Sequence, residues 1–120
     1  MLSRICVEND YLRAELSGRE TAAETRAFLL ALAAAADSSD CRRALIKVSA
    51  SKPLFTVEKF RISRFFDLMS HWQGSRVALL GDTEELRGAH EYIEVLAQQH
   101  GVDVRSFKTE HEALAWLRHA

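Results

Sequence analysis

Apolar and polar positions change their period several times along the chain, and each change marks an element. Residues 4–8 (RICVE) and 11–18 (YLRAELSG) alternate in twos, as half-buried strands do, and Asn9-Asp10 between them is turn chemistry. Together they predict an antiparallel hairpin. The period then lengthens. Thr21 stands three residues before Glu24, the spacing of a reciprocal helix cap, and the run that follows predicts a helix over 22–36. The DSSD stretch at 37–40 is expected to end it, because short polar side chains compete for backbone hydrogen bonds.

The second half repeats one theme. RALIKVS predicts a third strand, and residues 57–73 a helix whose apolar stripe runs through Ile62, Phe65, Phe66, Met69 and Trp72, closed by Gly74. RVALLG is almost wholly apolar, as a strand covered on both faces must be. A helix is expected from Asp82-Thr83 to His100, with Leu86, Ala89, Ile93, Leu96 and Ala97 inward and Gly101 just beyond its end. VDVRSF predicts the last strand. Thr109 and Glu112 predict a second reciprocal cap, on a helix whose apolar face holds Ala113, Leu114, Trp116 and Leu117. The order is ββαβαβαβα: five strands, four helices, and a mainly parallel sheet with an antiparallel strand at its start, formed by one domain over residues 1–120.

Composition narrows the function classes. The chain is 48% hydrophobic and 28% charged, with a net charge of −1. No broad basic surface is present to neutralise phosphates, so a nucleic-acid role is not expected. No apolar stretch approaches the length of a membrane span, and AFLLALAAAA reads as a helix of the mature domain, not a signal peptide. A cytoplasmic location is expected, with Cys6 and Cys41 as reduced thiols. The five histidines, His71, His90, His100, His111 and His119, lack metal-ligand spacing, and His71 and His90 read as half-buried helix residues. Glycine-rich phosphate loops and hydrolase signatures are missing from the sequence, so no catalytic residue, metal or cofactor is assigned.

The phrases LIKVSA, TVEKFRISRFFD, RVALLGD and HGVDVRSFKTEHEALAWL resemble the SpoIIAA-like domains of the wider STAS group (sulfate transporter and anti-sigma-factor antagonist). The resemblance covers nearly the whole chain. It implies a β-α superhelix, an often dimeric, non-enzymatic regulatory or protein-interaction module, and a fold related to the CRAL-TRIO lipid-transfer domains. In anti-sigma-factor antagonists a serine in an Asp-Ser-Ser-Gly motif, after the third strand, is phosphorylated. The equivalent stretch here, SASKPLFTVEK, lacks that motif. The look-alike DSSD lies before the third strand, so Ser38 and Ser39 do not inherit the role.

Ligands of open α/β sheets gather where strands end and helices begin. That places Ser49, Ser51, Lys52 and Thr56 after the third strand, and Asp82 and Thr83 after the fourth, as the candidate contact or switch residues. Each has a structural alternative: Thr56, Asp82 and Thr83 as helix caps, the others as a solvated loop. Leu54 and Phe55 either staple the following helix or mark a partner or lipid surface. Two functions stay open: an interaction module with an unknown protein partner, as a homodimer, or a binding domain for a small hydrophobic or anionic ligand.

Overall fold

In the computed structural model, residues 1–8, 10–51, 75–99 and 101–118 are described. Five strands form one sheet: β1 (Leu2–Val7), β2 (Leu12–Ser17), β3 (Arg43–Ser49), β4 (Arg76–Gly81) and β5 (Asp103–Phe107). Three helices accompany them among the described residues: α1 (Ala22–Ser39), α2 (Glu84–Gln98) and α3 (Glu110–Arg118). The predicted helix at 57–73 and its stripe, together with Gly74, lie outside the described residues.

The sheet order is β1-β2-β3-β4-β5. β1 pairs with β2 antiparallel, Cys6 opposite Arg13, and every later pair is parallel. The order in space follows the order in the chain, so successive crossovers step the same way. Right-handed connections then put their helices on one face, and α1 and α2 do share one. There Phe28, Leu32 and Ala36 of α1 and Leu86, Leu96 and Ala97 of α2 pack with Leu12, Ala14, Leu16, Ala44, Ile46, Val48, Val77, Leu79 and Val104. The opposite face carries a smaller apolar layer, in which Ala113 and Leu117 of α3 meet Tyr11, Leu45, Ala78 and Leu80. Both layers draw on β3 and β4. This explains why RVALLG has no polar alternation: Val77 and Leu79 serve one layer, Ala78 and Leu80 the other.

Local signals place most of the element ends. The Thr21 hydroxyl accepts the Glu24 N–H at 3.2 Å, and the Glu24 carboxylate accepts the Thr21 N–H at 3.2 Å, so the predicted box is formed. α1 nevertheless runs three residues further than expected. Ser38 and Ser39 donate their hydroxyls to the Ala35 carbonyl inside the helix, at 3.2 and 2.7 Å, and the chain turns only at Asp40, in the left-handed region with φ 52°. The second cap is formed in part. The Thr109 hydroxyl accepts the Glu112 N–H at 3.3 Å and donates to the Glu112 carboxylate at 3.1 Å. Ile93, Leu114 and Trp116 were expected inward and are only partly buried, at the margins of the two layers.

Candidate functional site

β2, β3, β4 and β5 are parallel, so Ser17, Ser49, Gly81 and Phe107 end along one edge of the sheet. The loops that leave this edge are tied to one another. After β2, Gly18 takes φ 69° and its N–H reaches the Ser49 and Ala50 carbonyls at 3.3 and 3.1 Å. The Arg19 N–H donates to Ser51 Oγ at 3.1 Å, while the Ser51 hydroxyl donates to the Ser49 carbonyl at 2.9 Å. Ala50 also sits in the left-handed region, at φ 48°. A side chain there costs about 1–2 kcal/mol, and the conformation holds because neighbours fix both its polar groups. Its carbonyl takes Gly18, and its N–H donates to Asp82 Oδ2 at 3.2 Å.

The candidate residues therefore separate. Ser49, Ser51, Asp82 and Thr83 do come together on this edge, whereas Lys52, Thr56, Leu54 and Phe55 lie outside the described residues. Thr83 is the helix cap that it was expected to be, accepting the Leu86 N–H at 3.2 Å. Asp82 instead braces the β3 loop, a partner 32 positions away that no local pattern encodes. Ser38 and Ser39, at the end of α1 just before β3, belong to the other edge of the sheet.

Two residues beneath the edge carry a signal that the sequence reading missed. Arg19 is 5% exposed and His90 3% exposed, so His90 is buried, not half-buried as expected. Its place in α2 follows from spacing: it stands four after Leu86 and three before Ile93, inside the apolar stripe. Gly81 makes room for it. A Cβ at position 81 would lie 3.0 Å from Leu86 Cβ and 3.3 Å from both the Arg87 nitrogen and His90 Cε1. Among the described residues His90 Nδ1 has no hydrogen-bond partner. Burial, and secondarily the nearby Arg19 charge, push the His90 pKa down to about 4, so the ring is neutral at pH 7.

These groups do not compose a nucleophile and base. The Ser51 hydroxyl donates to a backbone carbonyl, and among the described residues no hydroxyl or thiol is hydrogen-bonded to His90. Nor do three or more His, Cys, Asp or Glu side chains converge on a metal position among the described residues. Cys6 and Cys41 are free thiols. No described helix is long and apolar enough to cross a membrane. On the sheet face opposite α1, a groove of about 340 Å³ is lined by Leu2, Ser3, Arg4, Glu15, Leu16, Ser17, Lys47 and Ser49. Of the described residues that line it, only Leu2 and Leu16 are apolar.

A single mixed sheet with sequential strand order and loop-braced carboxyl edge defines a small α/β domain of the β-α superhelix class. The model of the SpoIIAA-like family matches residues 11–118, and the chain belongs to that family. It is thus a STAS-type module. No individual curated protein matches the sequence.

Proposed function

We propose that the chain is a non-enzymatic, regulatory interaction module that docks a protein partner on its carboxyl edge, with Ser49, Ser51, Lys52, Thr56, Asp82 and Thr83 around the contact. One observation carries this reading: the polar groups of the edge brace its loops against each other and leave an exposed acidic rim. Asp82, Glu84 and Glu85 are all exposed, the latter two in the first turn of α2. That rim suits a basic group on a partner. It also opposes the anionic-ligand alternative, since carboxylates already complement the positive end of α2. The mostly polar lining of the groove beside β1 weighs against a lipid-like ligand there.

The test is a charge reversal of the rim. Glu84→Lys with Glu85→Lys removes two charges that complement the start of α2 and is expected to cost about 1–2 kcal/mol without unfolding the protein, and to abolish capture of the partner recovered by the unmodified protein, whereas Glu84→Gln with Glu85→Gln should weaken capture at a smaller cost in stability. Undiminished capture would remove this edge from consideration. A small molecule retained in a native mass spectrum would favour the binding-domain reading instead.

A further inference from the structure

β1 is the outer strand of the sheet, and among the described residues no strand pairs with its outer side. It is six residues long, lacks proline, and exposes Leu2 at 76% and Val7 at 61%. Such an edge is a template for another strand. We infer that β1 pairs antiparallel with β1 of a second copy of this chain, about a two-fold axis at Cys6.

The hydrogen-bonding phase and the charges select both the partner and the register. The Glu8 N–H donates inward to the Tyr11 carbonyl at 2.8 Å. In an alternating antiparallel ladder, Arg4, Cys6 and Glu8 then turn their backbone groups to β2, and Ser3, Ile5 and Val7 turn theirs outward. A two-fold pairing that keeps both sheets in one plane must match these outward residues with each other. Centring it on Cys6 sets Ile5 of one copy against Val7 of the other, each pair exchanging both backbone hydrogen bonds. It sets Arg4 against Glu8, twice, at positions where cross-strand side chains come closest. Neither Arg4 nor Glu8 has an ion-pair partner among the described residues of its own chain. The neighbouring registers lack this match: centring on Ile5 puts Arg4 opposite Cys6, and centring on Arg4 puts like charges together. The strand is complementary to itself in one register, which is the signature of an isologous contact.

The same register places the two Cys6 residues directly opposite, at a Cα separation of about 4.5 Å, within the roughly 4.4–6.8 Å that a disulfide spans. This supplies a reporter. In a Cys41→Ser background and reducing buffer, sedimentation velocity should show a dimer. Diamide should then link it covalently through Cys6, the two thiols giving up two electrons and two protons to the diamide as the S–S bond forms. Val7→Pro removes an outward N–H that β2 does not use, and should give a monomer with unchanged circular dichroism. Arg4→Glu and Glu8→Arg each set like charges opposite one another and should weaken the dimer about tenfold or more, while the double reversal restores it. If Val7→Pro does not fold, the reversal series still decides. A monomer at millimolar concentration, a dimer indifferent to these substitutions, or single reversals that the double fails to rescue would each overturn the inference.

Discussion

At position 90 an imidazole replaces an aliphatic side chain in the inner stripe of α2, and its protonation is opposed by burial and by Arg19. The consequence for stability has a definite sign. Above about pH 6.5 the ring is neutral in folded and unfolded chains alike. Below that, the unfolded chain binds a proton that the folded chain refuses until about pH 4. Stability is therefore lost as pH falls from about 6.5 to about 4, by roughly 3 kcal/mol over the window. We predict that His90→Leu, which has no proton to bind, lacks this component. The unfolding free energy of the unmodified protein relative to the variant should fall by about that amount between pH 7 and pH 4, measured in urea at matched ionic strength. A constant difference would place the imidazole in water. Glu24 acts in the same direction. The Glu20 N–H, and secondarily the N-terminal ammonium at 3.1 Å, hold its carboxyl below the usual range. Its contribution is likewise lost as acid protonates it.

α3 shows how an element reached by a short connection is fixed by both its ends. Arg13 of β2 is hydrogen-bonded to Glu110 at its start, and this partner raises the Arg13 pKa. Near its other end the Arg76 guanidinium donates to the Trp116 carbonyl at 3.1 Å, and the guanidinium groups of Arg76 and Arg105 lie 5.6 and 5.3 Å from the Trp116 ring centroid. These partly exposed contacts orient the helix. Its stability comes from Ala113 and Leu117, which are fully buried on Leu45, Ala78 and Leu80. Leu117→Ala should cost about 2–5 kcal/mol by the lost transfer energy and the cavity left behind. Leu114→Ala, at a partly buried position, should cost clearly less. Denaturant midpoints of the two variants check the order, and equal losses would mean that α3 is turned about its axis.

At the scale of the fold, the described residues form two apolar layers that share one sheet. β3 and β4 contribute side chains to both, so stripping α3 from one face would leave Leu45, Ala78 and Leu80 exposed on strands still packed on the other. That coupling predicts a single cooperative transition. Far-ultraviolet and near-ultraviolet circular dichroism should report the same thermal midpoint for the 120-residue chain. Two separated midpoints would show that the layers fold independently.

Period and capping chemistry act over three or four residues, and at that range the sequence was sufficient. RALIKVS and RVALLG mark β3 and β4 to the residue, Thr21 with Glu24 marks the start of α1, and Thr83 the start of α2. The same local rules misjudged the end of α1. Ser38 and Ser39 have two outlets for their hydroxyls, and only the folded chain selects the helical one. The site depended on more distant relations. The Ala50 N–H meets Asp82, and Arg19 meets Ser51, because parallel register brings three strand ends to one edge; the bonded residues are 32 apart in both cases. His90 was visible as a histidine in an apolar stripe, but its burial required Gly81 to admit α2 close to β4. A spacing rule states which residues can share a face. Whether a polar group on that face reaches water, a loop or the core is decided by what the rest of the chain packs against it.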